Sequence, residues 1–213
     1  MTSGRLAPLP MEFYLPSPRV VARKLLGHFL VRATDQGLMS GVIVETEAYL
    51  HDDPACHAFG GPTPRNRSMF GPPGRAYVYF IYGMHECFNT VCGPAGRGEG
   101  VLIRALEATG GLELMQKRRM VSRPTELTNG PAKLCQALGI SRSFDGVDLS
   151  REDSPVYVAR NPDRSRWLRR LGPIHRTTRI GITKAAQAPL RFLLSRSEWV
   201  SPPSREGSSG GGR

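Results

Sequence analysis

The stretch Gly41–Tyr49, GVIVETEAY, is the first place where this sequence offers chemistry. In an extended strand, successive side chains point to opposite faces. Val42, Val44, Thr46 and Ala48 then share one apolar face, and Ile43, Glu45, Glu47 and Tyr49 share the other. Two carboxylates and a phenol are gathered on one side of an otherwise apolar strand. A solvated edge strand with two exposed acids would produce the same pattern. The setting favours a role in chemistry. The chain has 18 Asp and Glu against 29 Lys and Arg, a formal net charge of +11. The two acids also lead directly into a loop rich in aromatic and basic residues. On a surface that attracts polyanions an acid lowers affinity, unless it has a task. Activating water as a general base is a task suited to a carboxylate.

The tyrosines are the second group. Tyr77 and Tyr79 project from one face of a strand, and core packing would account for Tyr77 equally well. Tyr82, beside Gly83 at an expected hairpin tip, has no core to enter. A large ring in that place can wedge between stacked bases. Tyr49, His57 and Tyr79 can form stacking walls for a base taken out of a duplex. Arg104 lies in the apolar run VLIRALEA, where a guanidinium is costly unless paired. Its partner is Glu45, Glu47 or Glu107, or it contacts a phosphate or orients the catalytic group, and these roles are compatible.

Arg65 and Arg67 in TPRNR, Lys133 in NGPAKL and seven arginines in 160–179 are candidates for phosphate contacts, although each alone reads more readily as a solvated surface charge. Gly130-Pro131 opens a helix that puts Lys133 in its first turn, where free N–H groups already favour anions. The grouping of His51, Cys56 and His57 suggests zinc. However, no cysteine pair has C-x-x-C spacing, and Cys87 and Cys92 are oddly spaced for a structural site. Cys56, Cys87, Cys92 and Cys135 are read as reduced thiols, and no metal is expected.

The elements that must position these groups are legible in outline. Ser17-Pro18 opens a helix that stops at Gly27. Residues 28–34 and 38–49 read as a hairpin joined by turn chemistry at Asp35-Gln36-Gly37, and residues 50–74 as a long functional loop. Residues 76–93 form a second hairpin with its tip at 82–84. A strand follows at 101–108, helices at 112–119 and 131–138, and late strands at 156–159, 179–183 and 190–194. The expected class is α+β, one domain over residues 1–200 built on an antiparallel or mixed sheet, followed by a flexible Gly/Ser-rich tail, 201–213. With 213 residues, 39% hydrophobic and 22% charged, the chain is neither disordered nor membranous in composition. It lacks an apolar run of the ~18 residues that a membrane span needs, and its first residues do not read as a secretory signal. The surplus of basic residues points to nucleic acid.

Together the segments VETEAYL (44–50), GG-x-TPRNR-x-MF around 60–70 with His57, YVYFIYGMHECFN (77–89), VLIRALEA (101–108), NGPAKLCQAL (129–138), and PLRF with WV near 189–200 resemble one family. It is the alkyladenine (3-methyladenine) DNA glycosylases of the mammalian alkylpurine type, in their bacterial form. The resemblance covers about 150 residues in the family's order. It implies a monofunctional base-excision repair enzyme that flips a damaged purine from double-stranded DNA and hydrolyses its N-glycosidic bond. Glu47 falls on the catalytic carboxylate, Arg104 on the arginine beside the attacking water, and Tyr49, His57 and Tyr79 on the base pocket. Asn89 falls on the side chain that obstructs the guanine amino group, and Tyr82 on the ring that fills the gap in the duplex.

The resemblance also implies a single mixed domain around a curved antiparallel sheet with a protruding β-hairpin, like the C-terminal domain of formyltransferases, and no cofactor. A monomer without membrane partners is expected, in a bacterial cytoplasm and associated with the nucleoid. Position 85 is His where mammalian members carry Tyr, and residues 139–188 match weakly. The rival readings are a nonspecific nucleic-acid-binding protein without activity, a lysine-dependent lyase, for which the matched segments around Glu47 and Tyr82 offer no lysine, and a metal-dependent nuclease, for which the acids are few.

Overall fold

The computed structural model describes residues 6–81 and 85–202. Eight strands form one sheet in which every pairing is antiparallel. They are β1 (Phe29–Thr34), β2 (Gly37–Tyr49), β3 (Ala76–Ile81), β4 (His85–Cys92), β5 (Glu99–Gly110), β6 (Val156–Ala159), β7 (Ile174–Thr177) and β8 (Arg191–Leu194). Their order is β3-β4-β5-β2-β1-β6, with β8 joined to β2 and β7 to β8. The sheet curves as a half-barrel and carries only four α-helices among the described residues. These are α1 (Pro18–Leu25), α2 (Leu112–Arg119), α3 (Pro131–Leu138) and α4 (Arg164–Leu171). The fold is therefore the mixed α/β, antiparallel arrangement expected from the sequence.

The 13-residue strand β2 explains how the site is built. Along one edge it pairs with β5. Along the other, β1 pairs with residues 37–42 and β8 takes over opposite Glu45–Glu47. β2 is thus an interior strand, and both of its faces are covered from Val42 to Ala48. This removes the solvated-edge reading, because Glu45 and Glu47 are completely buried. Val42, Val44 and Ala48 belong to the main core, and Thr46 donates its hydroxyl to the Ala22 carbonyl of α1 at 3.0 Å. The α1 side of the sheet is the apolar side that the alternation predicted.

Two sequence-based expectations need correction. Residues 179–183 are not a strand, and the strand is Ile174–Thr177 instead. Arg179 and the Ile180 amide are engaged with Asp53 and Glu47, which removes this segment from any ladder despite its β-branched residues. The expected boundary at residue 200 falls short, because Ser201 is buried and its N–H reaches Glu45 at 2.5 Å. Helix α4 was not expected, because its sequence RSRWLRRL presents few apolar residues, and among them only Leu171 is fully buried.

Candidate active site

The register between β2 and β5 slips on both sides of Glu45: Ile43 faces Leu106, Glu45 faces Ala105 and Thr46 faces Ile103, after which Glu47 faces Leu102 in regular register. Val44 and Arg104 therefore fall out of the ladder. Irregularities of this kind re-aim side chains, and here the result is a buried charge cluster. Arg104, 6% exposed, sets Nε 3.0 Å from Glu45 Oε1 and Nη1 3.2 Å from Glu47 Oε2. Arg191 adds a second guanidinium to Glu45, 2.6 Å from the same Oε1. Two acids thus face two arginines, and the pairing needed to keep ions out of water is met.

The two carboxylates differ in their bonds. Both oxygens of Glu45 are committed to structural partners: Oε1 to the two guanidiniums and Oε2 to the Ser201 N–H. Glu47 accepts the Ile180 N–H on Oε1 at 2.8 Å, and the Tyr49 hydroxyl on Oε2 at 2.9 Å beside Arg104. Burial and then the neighbouring Glu47 charge push the Tyr49 phenol well above its ordinary value, so it keeps its proton and donates to Glu47. Burial would lower the Arg104 pKa, but Glu47 and Glu45 outweigh it and hold the guanidinium charged. Glu45 is therefore an anchor for Arg104, and Glu47 is the acid whose bonds lead toward the cleft.

A cleft of about 160 Å³ opens beside this cluster, walled by Tyr49, His57, Tyr77, Tyr79 and Asn89. Tyr77 and Tyr79 stack with ring centroids 5.4 Å apart, and His57 meets the Tyr79 ring edge-on at 4.4 Å. His57 Nδ1 lies 2.9 Å from the Tyr77 hydroxyl. Partial burial and the positive charge of Arg65 lower the His57 pKa, which favours the neutral imidazole. A neutral ring can face a cationic guest without repelling it. Asn89 is buried and donates Nδ2 to the Tyr77 carbonyl at 3.0 Å, which holds its amide at the wall. The loop that carries His57 is tied by Asn66, whose Nδ2 donates to the carbonyls of His57 and Gly61 at 2.8 and 3.1 Å.

A second cleft, about 230 Å³, shares Tyr49, Tyr79, Gly181 and Ile182 with the first and reaches Arg104. The two clefts meet at the tyrosines. A planar group can sit in one while its attachment point lies in the other, next to Arg104 and Ile180.

The structure brings together Glu47, Arg104, Tyr49, His57, Tyr79 and Asn89, all named from the sequence. Arg65 is exposed at the rim, donating to the Phe80 carbonyl at 2.9 Å with its guanidinium 6.0 Å from the Tyr79 ring centroid. Arg67 is exposed. Lys133 donates to Asn129 Oδ1 at 2.8 Å and borders a shallow recess with Arg104. Tyr82 lies outside the described residues.

Among the 160–179 arginines, several have structural roles. Arg164 donates to the Leu26 carbonyl, Arg170 pairs with Glu107, and Arg176 donates to the Pro189 carbonyl. Arg179 is removed from the surface altogether. It is buried, paired with Asp53, bonded to the Ala48 carbonyl at 3.1 Å, and stacked 4.6 Å from the Tyr49 ring centroid. It braces Tyr49 from behind. Its inclusion among the expected phosphate contacts is thereby corrected; the pairing with Asp53 leaves no sequence signal, because 126 positions separate the two and no local pattern joins them. Among the described residues no group of three or more His, Cys, Asp or Glu side chains is placed to hold a metal ion, and no helix is long and apolar enough to cross a membrane.

A buried carboxylate–guanidinium cluster behind an aromatic cleft, on a basic chain, has the make-up of a site for acid–base chemistry on a planar guest. Residues 12–198 match the methylpurine-DNA glycosylase family, and the chain belongs to it. Curated relatives provisionally assigned as 3-methyladenine DNA glycosylases include a protein of Methanoculleus marisnigri, 51% identical over 91% of this chain and 98% of its own length. Another, from Carboxydothermus hydrogenoformans, is 46% identical over the same shares. A third, from Rhodopseudomonas palustris, is 48% identical over 95% of this chain and 92% of its own. The protein is a DNA glycosylase, a hydrolase of base excision repair.

Proposed function

We propose that this enzyme flips alkylated and deaminated purines, among them 3-methyladenine, hypoxanthine and ethenoadenine, out of double-stranded DNA and hydrolyses their N-glycosidic bond, leaving an abasic site. The observation that carries this reading is the junction of the two clefts at Tyr49 and Tyr79, with the Glu47–Arg104 pair directly behind it. The purine enters the aromatic cleft, and stacking on tyrosine adds cation–π attraction for a positively charged methylated base. Water reaches Glu47 between Arg104 and Ile180, both of which border the second cleft and bond the carboxylate. Glu47 takes a proton from the water as the water oxygen bonds to C1′. The bond from C1′ to the purine nitrogen breaks, and its electron pair leaves with the base. A methylated, cationic purine departs neutral and needs no acid on that side, whereas a neutral purine such as hypoxanthine leaves as its anion and takes a proton from solvent water.

The fold is read as that of the formyltransferase C-terminal domain, a reading supported by its single curved antiparallel sheet. Tyr82 fills the space left in the duplex, and Arg65, Arg67 and Lys133 contact its backbone. The protein works as a monomer on nucleoid DNA in a bacterial cytoplasm. The test is release of free base from duplexes carrying each lesion in turn. Release should proceed in EDTA and without strand scission until alkali is added. Scission without alkali, or no release from any lesion, would overturn the reading.

A further inference from the structure

A second recess, about 480 Å³, lies on the other side of the sheet. Its floor is apolar, made by Phe192 of β8 and Ile174 of β7. Phe192 pairs with Thr46 of β2, and Arg176 pairs with Phe192. Directly opposed residues in antiparallel strands share a face. Thr46 faces α1, to which it is hydrogen-bonded, whereas Glu45 and Glu47 face the reverse side. The recess therefore opens away from the catalytic cluster, with the sheet between them.

Its rim is basic. Arg19, Arg23 and Lys24 come from α1, Arg164 from α4 and Arg176 from β7, and no acid lines it. Arg19, Arg23 and Lys24 are exposed and form no ion pair among the described residues. Arg164 and Arg176 are each oriented by one bond from Nε to a backbone carbonyl. Arg19 and Arg23 stand one helical turn apart, about 6 Å along the axis, close to the ~7 Å axial advance of two nucleotides on one DNA strand. Five cations around one concavity repel one another unless a polyanion sits among them. Four of the five are arginines, whose planar fork suits phosphate oxygens.

We propose that this recess binds the phosphate backbone of a second segment of duplex DNA, held at the same time as the duplex offered to the base pocket. It shares the ligand class of the proposed function but not its site. A duplex without damage, fixed to beads, is loaded with the full-length protein, and capture of a second, fluorescent undamaged duplex is measured against salt. Five phosphate contacts give a slope of log affinity on log salt of about −4.5, and Arg19→Ala/Arg23→Ala should reduce it to about −2.7. Arg19→Glu/Arg23→Glu should cut capture at least tenfold while retention of the protein on the beads and base release from a lesion duplex stay at wild-type levels. No capture by the wild type, or unchanged capture by the Glu variant, would overturn the proposal. So would loss of base release in that variant, which would assign these arginines to the substrate duplex. Capture of fluorescent polyglutamate in place of DNA would also overturn it, making the face a protein-docking surface. If the wild type captures a second duplex but releases no base from any lesion, the second site stands and the proposed function fails.

Discussion

Glu47→Gln separates the chemistry of the cluster from its architecture. The substitution keeps shape, and the Gln oxygen can still accept the Ile180 N–H. However, the amide nitrogen then meets Arg104 Nη1, donor against donor, where the carboxylate oxygen stood at 3.2 Å. It also removes one of two negative charges facing Arg104 and Arg191, whose side chains are only 8% and 12% exposed. An unbalanced buried charge of this kind costs about 3–5 kcal/mol of stability. Glu45→Gln creates the same imbalance one residue pair away, so the two variants should melt at similar temperatures. They should part in rate. Losing a general base lowers the chemical step about 10²–10⁴-fold, so Glu47→Gln should show that loss, whereas Glu45→Gln, which disturbs only the anchor of Arg104, should stay within about tenfold of wild type. The assay is single-turnover base release from a hypoxanthine or 3-methyladenine duplex at saturating enzyme, with thermal unfolding of each variant alongside. If the two variants lose activity equally, the assignment of Glu47 as base and Glu45 as anchor is refuted.

Two further outcomes follow from groups outside the Glu47–Arg104 pair. Asp53→Asn leaves the Arg179 guanidinium, whose side chain is fully buried, without its counter-charge. Urea unfolding should show a loss of about 3–5 kcal/mol, and a loss under 1 kcal/mol would mean that the pair does not brace Tyr49. His28 accepts the Asn161 N–H on Nδ1, and burial lowers its pKa from 6.5 to about 4. A histidine lowered in the folded state contributes stability that is complete above pH 6.5 and lost as pH falls toward 4. That interval corresponds to about 3 kcal/mol. Stability measured from pH 7 to 4 should decline over this window, and His28→Gln should flatten the decline. An equal slope in the variant would exclude His28 as its source.

Much of the site is local, and for that reason legible in one dimension. Alternation along GVIVETEAY puts Glu45, Glu47 and Tyr49 on one face wherever the strand lies, and the same rule sets Tyr77 beside Tyr79. The hairpins declared themselves through turn residues and β-branched runs. The segment 179–183 departs from the strand its residues suggest for the opposite reason. Its residues favour a strand, but its hydrogen bonds go to Asp53 and Glu47, which lie far away in sequence.

By itself the sequence determined the basic surplus and the face on which Glu45, Glu47 and Tyr49 stand together, because composition and side-chain period do not depend on distant partners; the choice of Glu47 and Arg104 came from the family resemblance. Only the tertiary structure decided that β2 is an interior strand and that its acids are buried. It alone made Glu45 an anchor rather than a second base, drew Arg179 beneath Tyr49, and placed a second basic recess on the reverse of the sheet. Each of these depends on segments far apart in the chain, such as Ala22 with Thr46, Glu45 with Ser201 and Arg19 with Phe192, and such contacts are set by packing, not by any pattern of neighbours.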